Sequence, residues 1–346
     1  MNNIVRLLVC LMSLLLLNDL SYAQSGSSGY MVIDSLRLGG EGGWDYLAVD
    51  PEAQRLYVSR SSHVQVVDIA KLSLVGDIPN TPGVHGIALP PSVDRGYTSN
   101  GRDSSVTVFE RSTLKSIATI RVGARNPDAI LYDPSTGRVF TFNGGSASTT
   151  AIETATGTVA GTLPLGGKPE FAVSDGEGKI FVNIEDKSEI VAFDARSLKE
   201  LGRWSLAPGE EPSGLAIDRA NRRLFAVCGN RLMVILDSES GKKVATLPIG
   251  SGVDGAAFDP GMHMAFSSNG EGTMTVIREE DPGQFSVLEN IPTRRGARTV
   301  TVNDKTHRVY TVAARYGPAP APTADRPHPR PAIEPGSVTL YVIGTR

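Results

Sequence analysis

Short apolar runs alternate with turn-forming clusters along almost the whole chain. The clearest copy covers residues 212–250, where four apolar runs are separated by clusters of Asp, Asn, Ser and Gly. Short runs rich in β-branched and aromatic residues, bounded by such clusters, are typical of strands. The segment therefore predicts four antiparallel strands, at 214–217, 223–227, 232–236 and 243–248.

The same plan recurs seven times. Each copy has an apolar first strand that ends at an anchor residue. A turn follows, and then a second strand with an aromatic residue near its start. The anchors lie 40–44 residues apart, at Asp50, Pro90, Asp133, Asp175, Asp218, Asp259 and Asn303. A period of this length with four strands per copy is the signature of a propeller. We therefore predict an all-β fold, a seven-bladed β-propeller with four-stranded antiparallel blades.

The two ends of the repeat region predict how the ring closes. The seventh copy supplies only three strands, whereas a spare apolar strand at 31–38 precedes the first copy. We expect this N-terminal strand to complete the last blade, because an open solenoid would leave long unpaired strand edges.

The N-terminus has the features of an export signal. A positive start is followed by the apolar run 7–17 and by the small-residue site Ser21-Tyr22-Ala23. This pattern predicts a signal peptide at 1–23 that is cleaved near Ala23, and a periplasmic or secreted protein. We expect residues 24–346 to form a single propeller domain, with no membrane insertion.

Composition narrows the classes of partner. The formal net charge is -3, and aromatic residues make up only 6% of the chain. Nucleic acids and anionic membranes are recognised by clustered Lys and Arg, so neither is expected as a partner. We expect a monomer that binds an unidentified protein or a small polar ligand.

Several segments carry a resemblance to a known family. They are 55–59 (RLYVS), 126–130 (NPDAI), 138–144 (RVFTFNG), 252–259 (GVDGAAFD), 266–270 (FSSNG) and 292–298 (PTRRGAR). With them the chain resembles the bacterial YncE-like, YVTN-repeat propellers. The resemblance implies a propeller fold, a periplasmic location and a role as a binding scaffold.

Candidate chemistry concentrates where the first strand of each copy begins. The residue five places before each anchor should face the mouth of the central channel. These residues are Asp45, His85, Asp128, Glu170, Ser213, Asp254 and Arg298. The turns between second and third strands should add five residues on the same face, Arg60, Asn100, Asn143, Cys228 and Asn269. Carboxylate and amide oxygens suit a divalent cation such as Ca²⁺, which predicts a metal site at Asp45, Asp128, Glu170 and Asp254.

Three interpretations of this mouth remain open on the sequence alone. The charges could simply be solvated by a wet channel. They could bind a ligand or partner, which makes the protein a scaffold that acts through its channel mouth. Alternatively, His85 could act as the base of a metal-assisted, lactonase-like hydrolase or lyase. The neighbouring Arg294, Arg295 and Arg298 are either a solvated cluster or a fork for a carboxylate or phosphate.

One segment departs from the repeat. Residues 317–336 contain seven prolines where the other copies have a turn of a few residues. Such a segment favours an extended conformation and cannot pair as a central strand. It is either a solvated loop inserted in the last blade or a lid or docking arm.

Overall fold

Seven four-stranded antiparallel sheets make up the computed structural model, which describes residues 26–91, 93–323, 329 and 331–346. The predicted signal peptide lies outside the described residues. In the described part of the chain, helix is limited to two three-residue 3-10 turns, Gly144–Ser146 and Glu185–Lys187. None of the helices described there could cross a membrane.

Each sheet is one blade, and in blades 1 to 6 its strands follow the chain from the centre outward. Blades 1 to 3 contain β2 to β13: Leu47–Asp50, Arg55–Arg60, His63–Asp68, Ser73–Ile78; Val84–Ala88, Arg95–Asn100, Ser105–Glu110, Ser116–Arg121; Pro127–Asp133, Arg138–Asn143, Ser148–Glu153, Thr158–Pro164. Blades 4 to 6 contain β14 to β25: Pro169–Ser174, Lys179–Ile184, Glu189–Asp194, Lys199–Ser205; Pro212–Asp218, Arg223–Cys228, Leu232–Asp237, Lys243–Pro248; Val253–Asp259, Met264–Asn269, Thr273–Asp281, Gln284–Pro292. Blade 7 contains β26 to β28 and also β1: Val300–Asn303, Arg308–Ala313, Thr339–Gly344 and Met31–Arg37.

The ring closes through the N-terminal strand, as the sequence predicts. β1 pairs antiparallel with β28, from Met31 opposite Gly344 to Arg37 opposite Thr339. The first strand of every blade also packs against the first strand of the next, including β26 against β2. The seven-bladed propeller is confirmed, and the solenoid alternative is wrong because the ends pair with each other.

The core lies between the blades, where aromatic side chains of the second strands pack against neighbouring sheets. These side chains are Tyr57, Tyr97, Phe140, Phe181, Phe225, Phe266 and Tyr310, each at most 1% exposed. Phe225 of blade 5, for example, stacks on Phe258 of blade 6 at a centroid distance of 5.1 Å. Fully burying one such side chain contributes about 1.5–3 kcal/mol, so the repeated aromatic stabilises the packing between blades.

The anchor residues hold the turn between the first and second strands. Asp259 Oδ1 accepts the backbone N–H groups of Gly261 and Met262 at 2.9 and 3.2 Å. The turn then ends in a left-handed residue, His263 in blade 6 and His307 in blade 7, at φ of 51° and 56°. Aspartate recurs at the anchors because its side chain satisfies these turn amides. We call this side of the ring the turn face and the opposite side the mouth face.

Candidate functional site

β-Bulges aim the entrance residues into the channel mouth. In blades 2 to 6 the register of the first strand shifts at the entrance, for instance between Pro127 and Ile130 in blade 3. A bulge turns the extra residue away from the ladder and re-aims its side chain. The seven residues Asp45, His85, Asp128, Glu170, Ser213, Asp254 and Arg298 are called the mouth ring below.

A serine of the second strand fixes the backbone of several mouth-ring residues. Ser99 Oγ donates to the carbonyl of Asp128, and Ser268 Oγ donates to the carbonyl of Arg298. Ser59 Oγ accepts the backbone N–H of Asp45 at 3.0 Å. These positioning serines were missed from the sequence, although each stands two residues after the repeated aromatic.

His85 joins two carboxylates of the mouth ring. Its Nδ1 lies 2.6 Å from Asp45 Oδ2 and 3.6 Å from Asp128 Oδ1. One ligand atom from each of the three residues lies within 4.8 Å of the others. Burial lowers the pKa of His85, but the hydrogen bond to Asp45 and the charges of Asp128, Asp45 and Glu170 outweigh it and raise the pKa overall.

Each of the remaining two carboxylates of the mouth ring forms an ion pair with a basic side chain. Lys168 Nζ lies 2.6 Å from Glu170, and Arg298 Nε lies 3.2 Å from Asp254. Burial raises the pKa of Glu170 to about 8 and the pKa of Asp254 to about 6. Neither residue belongs to the group around His85, so the described residues do not assemble the predicted four-carboxylate site.

The side chains of Asn100, Asn143 and Asn269, predicted as ligands at the mouth, turn into their own blades instead. All three side chains are fully buried, and they hydrogen bond to Ser and Thr of their own blades. Asn143, for example, accepts from Thr141 at 3.0 Å and donates to Ser148 and Thr150 at 3.2 and 3.1 Å. Their amide groups are therefore occupied by holding the blade corner together.

An aromatic pair crosses the channel axis next to the mouth ring. Tyr46 of blade 1 and Phe171 of blade 4 meet edge to face, with ring centroids 5.2 Å apart. Burial raises the pKa of Tyr46 well above its usual value, and the charges of Asp128, Asp45, Glu170 and Asp254 add to the shift. The phenol therefore lies among the carboxylates of several blades. The mouth ring has an aromatic floor, which the sequence did not reveal.

A cleft of about 940 Å³ opens beside the mouth ring, where blades 6, 7 and 1 meet. We call it the arginine cleft, after its main lining residues Trp44, Arg294, Arg295, Arg298, Arg315 and Tyr316. Arg315 is paired with Glu334 at 2.7 Å. Arg294 and Arg295 are exposed, and neither has an acidic partner among the described residues.

The described parts of the Pro-rich segment form one wall of this cleft. Gly317, Ala319, Pro331, Ile333 and Glu334 all line it. Backbone hydrogen bonds hold the two ends of the segment together. Gly317 N–H donates to the carbonyl of Ala332, and Glu334 N–H donates to that of Arg315, both at 2.9 Å. These parts are therefore paired and contribute directly to the cleft.

Cys228 takes no part in the site. Its side chain is fully buried, and burial raises the pKa of its thiol to about 12. A thiol with such a pKa is protonated and inert at neutral pH, because thiolate is the reactive form.

Comparisons with known proteins support the fold. No family model matches the chain, and no curated protein matches it. Among solved structures, a chain of Kuenenia stuttgartiensis hydrazine synthase is similar, with a TM-score of 0.70 over 78% of this chain and 92% of that chain. The sequences are 15% identical, so the similarity concerns the propeller architecture.

Proposed function

We propose that the protein is a ligand-binding propeller that holds a small organic anion in the arginine cleft. The observation that carries the proposal is the pair Arg294 and Arg295, which line a cleft of about 940 Å³ without an acidic partner among the described residues. Ligand pockets usually measure about 300–1,000 Å³, so the cleft has the size for a small molecule.

The charge distribution favours an anion at this place. Arg298 is balanced by Asp254 and Arg315 by Glu334, whereas the two neighbouring guanidinium groups keep their charge free. Guanidinium groups bind carboxylates and phosphates through paired, charge-assisted hydrogen bonds. An anion would therefore be attracted to this side of the mouth and repelled by the carboxylates of the mouth ring.

The other walls of the cleft suit the apolar body of such a ligand. Trp44, Tyr316 and Ile333 line it next to the arginines. Aromatic walls with a few placed polar groups are typical of small-molecule sites. The ligand class proposed is thus an aromatic or aliphatic carboxylate or phosphate.

Binding of phenyl phosphate, measured by isothermal titration calorimetry, tests this proposal. Charge-assisted hydrogen bonds contribute about 1.5–3 kcal/mol, so the double variant Arg294→Ala/Arg295→Ala should bind at least about tenfold more weakly. Arg125→Ala is the matched control, because Arg125 holds the position of Arg295 in blade 3 and is also exposed. Equal affinity of the double variant and the control would refute the proposal.

Export to the periplasm or beyond, and membership of the YncE-like propellers, are part of the same proposal. They are supported by the apolar N-terminal run and by the segments that resemble that family. Fractionation of cells that express the full chain tests the location: the protein should leave the cytoplasm with residues 1–23 removed.

A second candidate function is hydrolase or lyase chemistry at His85. The observation that favours it is the 2.6 Å contact between His85 Nδ1 and Asp45, because a carboxylate that orients an imidazole can make it a better base. Dihydrocoumarin hydrolysis, with and without added Ca²⁺, tests it. Activity that His85→Gln abolishes would support the candidate, whereas equal rates in both proteins would exclude it.

A further inference from the structure

Three of the five anchor aspartates on the turn face contact a basic or hydroxyl side chain of the next blade. Asp50 forms an ion pair with Arg111, and Asp133 accepts a hydrogen bond from Ser174 at 2.7 Å. Asp259 lies 2.9 Å from His307 Nδ1. Between blades 5 and 6 the anchor Asp218 instead faces another carboxylate, Glu279. We call Asp218 and Glu279 the seam pair.

Glu279 occupies the same place in blade 6 as Arg111 in blade 2. Arg111 stands three residues after Val108, which pairs with the repeated aromatic Tyr97. Glu279 stands three residues after Val276, which pairs with Phe266. The fold therefore places an arginine opposite one anchor and a glutamate opposite another.

Both members of the seam pair are deeply buried. Asp218 is 3% exposed and Glu279 is 5% exposed. Asp218 Oδ1 accepts the N–H of Ala220 at 2.9 Å, and Glu279 Oε1 accepts from the Asn221 amide at 3.3 Å. The other two oxygens, Asp218 Oδ2 and Glu279 Oε2, are buried without a hydrogen-bond partner in the described part of the chain. Burying an unpaired carboxylate is costly, so these oxygens need a positive partner.

His263 supplies a third ligand at the same place. It ends the first turn of blade 6, and its carbonyl accepts the N–H of Glu279 at 2.9 Å, which fixes the turn against the strand. One ligand atom from each of Asp218, His263 and Glu279 lies within 4.8 Å of the others. His263 is exposed, so the group also has a side that faces solvent.

We propose that Asp218, Glu279 and His263 form a Zn²⁺ site that joins blades 5 and 6 on the turn face. Two carboxylates and one imidazole suit Zn²⁺ better than Ca²⁺, which prefers six to eight oxygens. Three protein ligands leave a coordination position for water on the exposed side. Zn²⁺ would neutralise the two buried oxygens as Arg111 neutralises Asp50.

A shared proton is the competing explanation. Burial, together with the charge of Asp218, raises the pKa of Glu279 to about 8. A protonated Glu279 could donate to Asp218 without any metal. The two explanations differ in whether the protein takes up Zn²⁺.

Titration of metal-free protein with ZnCl₂ against a fluorescent chelator decides between them. The parent for this test is His85→Ala, which removes the second histidine–carboxylate group at the mouth ring. We expect one equivalent of Zn²⁺ to bind, and we expect Glu279→Gln and His263→Ala each to weaken binding by more than about tenfold. The control is His63→Gln, which removes a histidine that belongs to neither cluster and should leave the affinity unchanged.

The proposal is overturned if the parent binds no stoichiometric Zn²⁺, or if Glu279→Gln binds it as tightly as the parent. A thermal melt provides a second readout: Zn²⁺ should raise the melting temperature of the parent but not that of Glu279→Gln. Because the site lies on the turn face, neither result depends on the arginine cleft.

Discussion

Two clusters in the described residues, Asp45–His85–Asp128 and Asp218–His263–Glu279, each combine one histidine with two carboxylates. They lie on opposite faces of the ring and differ in what balances their charge. At the mouth ring, Arg298 and Lys168 stand beside the carboxylates, and the side chains of Asp45, His85 and Asp128 are 16–28% exposed. At the seam pair, both acids are nearly inaccessible and no arginine or lysine forms an ion pair with either in the described residues. The comparison shows that the same repeat can place acids in two environments. In one, water and nearby basic residues balance the negative charge; in the other, a bound ion or proton must balance it.

The largest expected effect comes from removing the positive partner of the buried anchor carboxylate in blade 1. Arg111→Ala leaves Asp50 buried without its ion pair. Breaking a buried pair by removing one partner costs about 3–5 kcal/mol, so the free energy of unfolding in urea should fall by about that amount. Arg125→Ala, at an exposed arginine, serves as the control. A loss no larger than in the control would show that the anchor acids need no positive partner.

The reverse exchange places an arginine opposite Asp218, as Arg111 stands opposite Asp50 of blade 1. Glu279→Arg should form an ion pair with Asp218, and the metal-free variant should be more stable than the metal-free parent by roughly 1–3 kcal/mol. Zn²⁺ should then add nothing to its stability. A variant that is destabilised, or still stabilised by Zn²⁺, would contradict the assigned contact between Asp218 and Glu279.

The pH dependence of the free energy of unfolding distinguishes a mouth ring with a raised carboxylate pKa from a set of simply solvated charges. The folded protein raises the pKa of Glu170 to about 8, so it binds a proton that the unfolded chain releases. The resulting stability is present at low pH and is lost as the pH rises from about 4.5 to about 8. The stability of the parent relative to Glu170→Gln should therefore decline across that window in urea unfolding. A difference that stays constant with pH would show that Glu170 titrates normally.

The smallest effect concerns the titration of His85. Asp45→Asn removes the hydrogen-bonded charge that raises the pKa of His85, so the pKa should fall. The imidazole resonances in an NMR pH titration measure it. His63→Gln, which leaves the mouth ring intact, should not change it. An unchanged pKa in Asp45→Asn would mean that Asp128 and Glu170 hold the charge on His85.

The fold could be read from the sequence because its signals are local and repeated. The anchors from Asp50 to Asn303, the aromatics that follow them and the spare strand at 31–38 were enough to predict the blades and their closure. The mouth-ring positions followed from the same period. The bulges that aim these side chains were not visible, because they depend on pairing between strands.

The errors and omissions have a common physical cause. Asn100, Asn143 and Asn269 are of a residue type that is common in ligand sites. Their side chains are buried because they hydrogen bond to Ser and Thr of the same blade. Glu279 was missed because it meets Asp218 across the boundary between blades, 61 residues along the chain. The pair of Asp50 and Arg111 has the same separation. Contacts between blades can be predicted only once the repeat has been aligned in three dimensions.

The central claim is that the arginine cleft, rather than the mouth ring, receives the ligand. A crystal structure of the protein with phenyl phosphate tests it most directly. We predict the phosphate within hydrogen-bonding distance of Arg294 and Arg295, with the phenyl ring between Trp44 and Tyr316. A phosphate bound among Asp45, His85 and Asp128, or an empty cleft at saturating phenyl phosphate, would contradict the account.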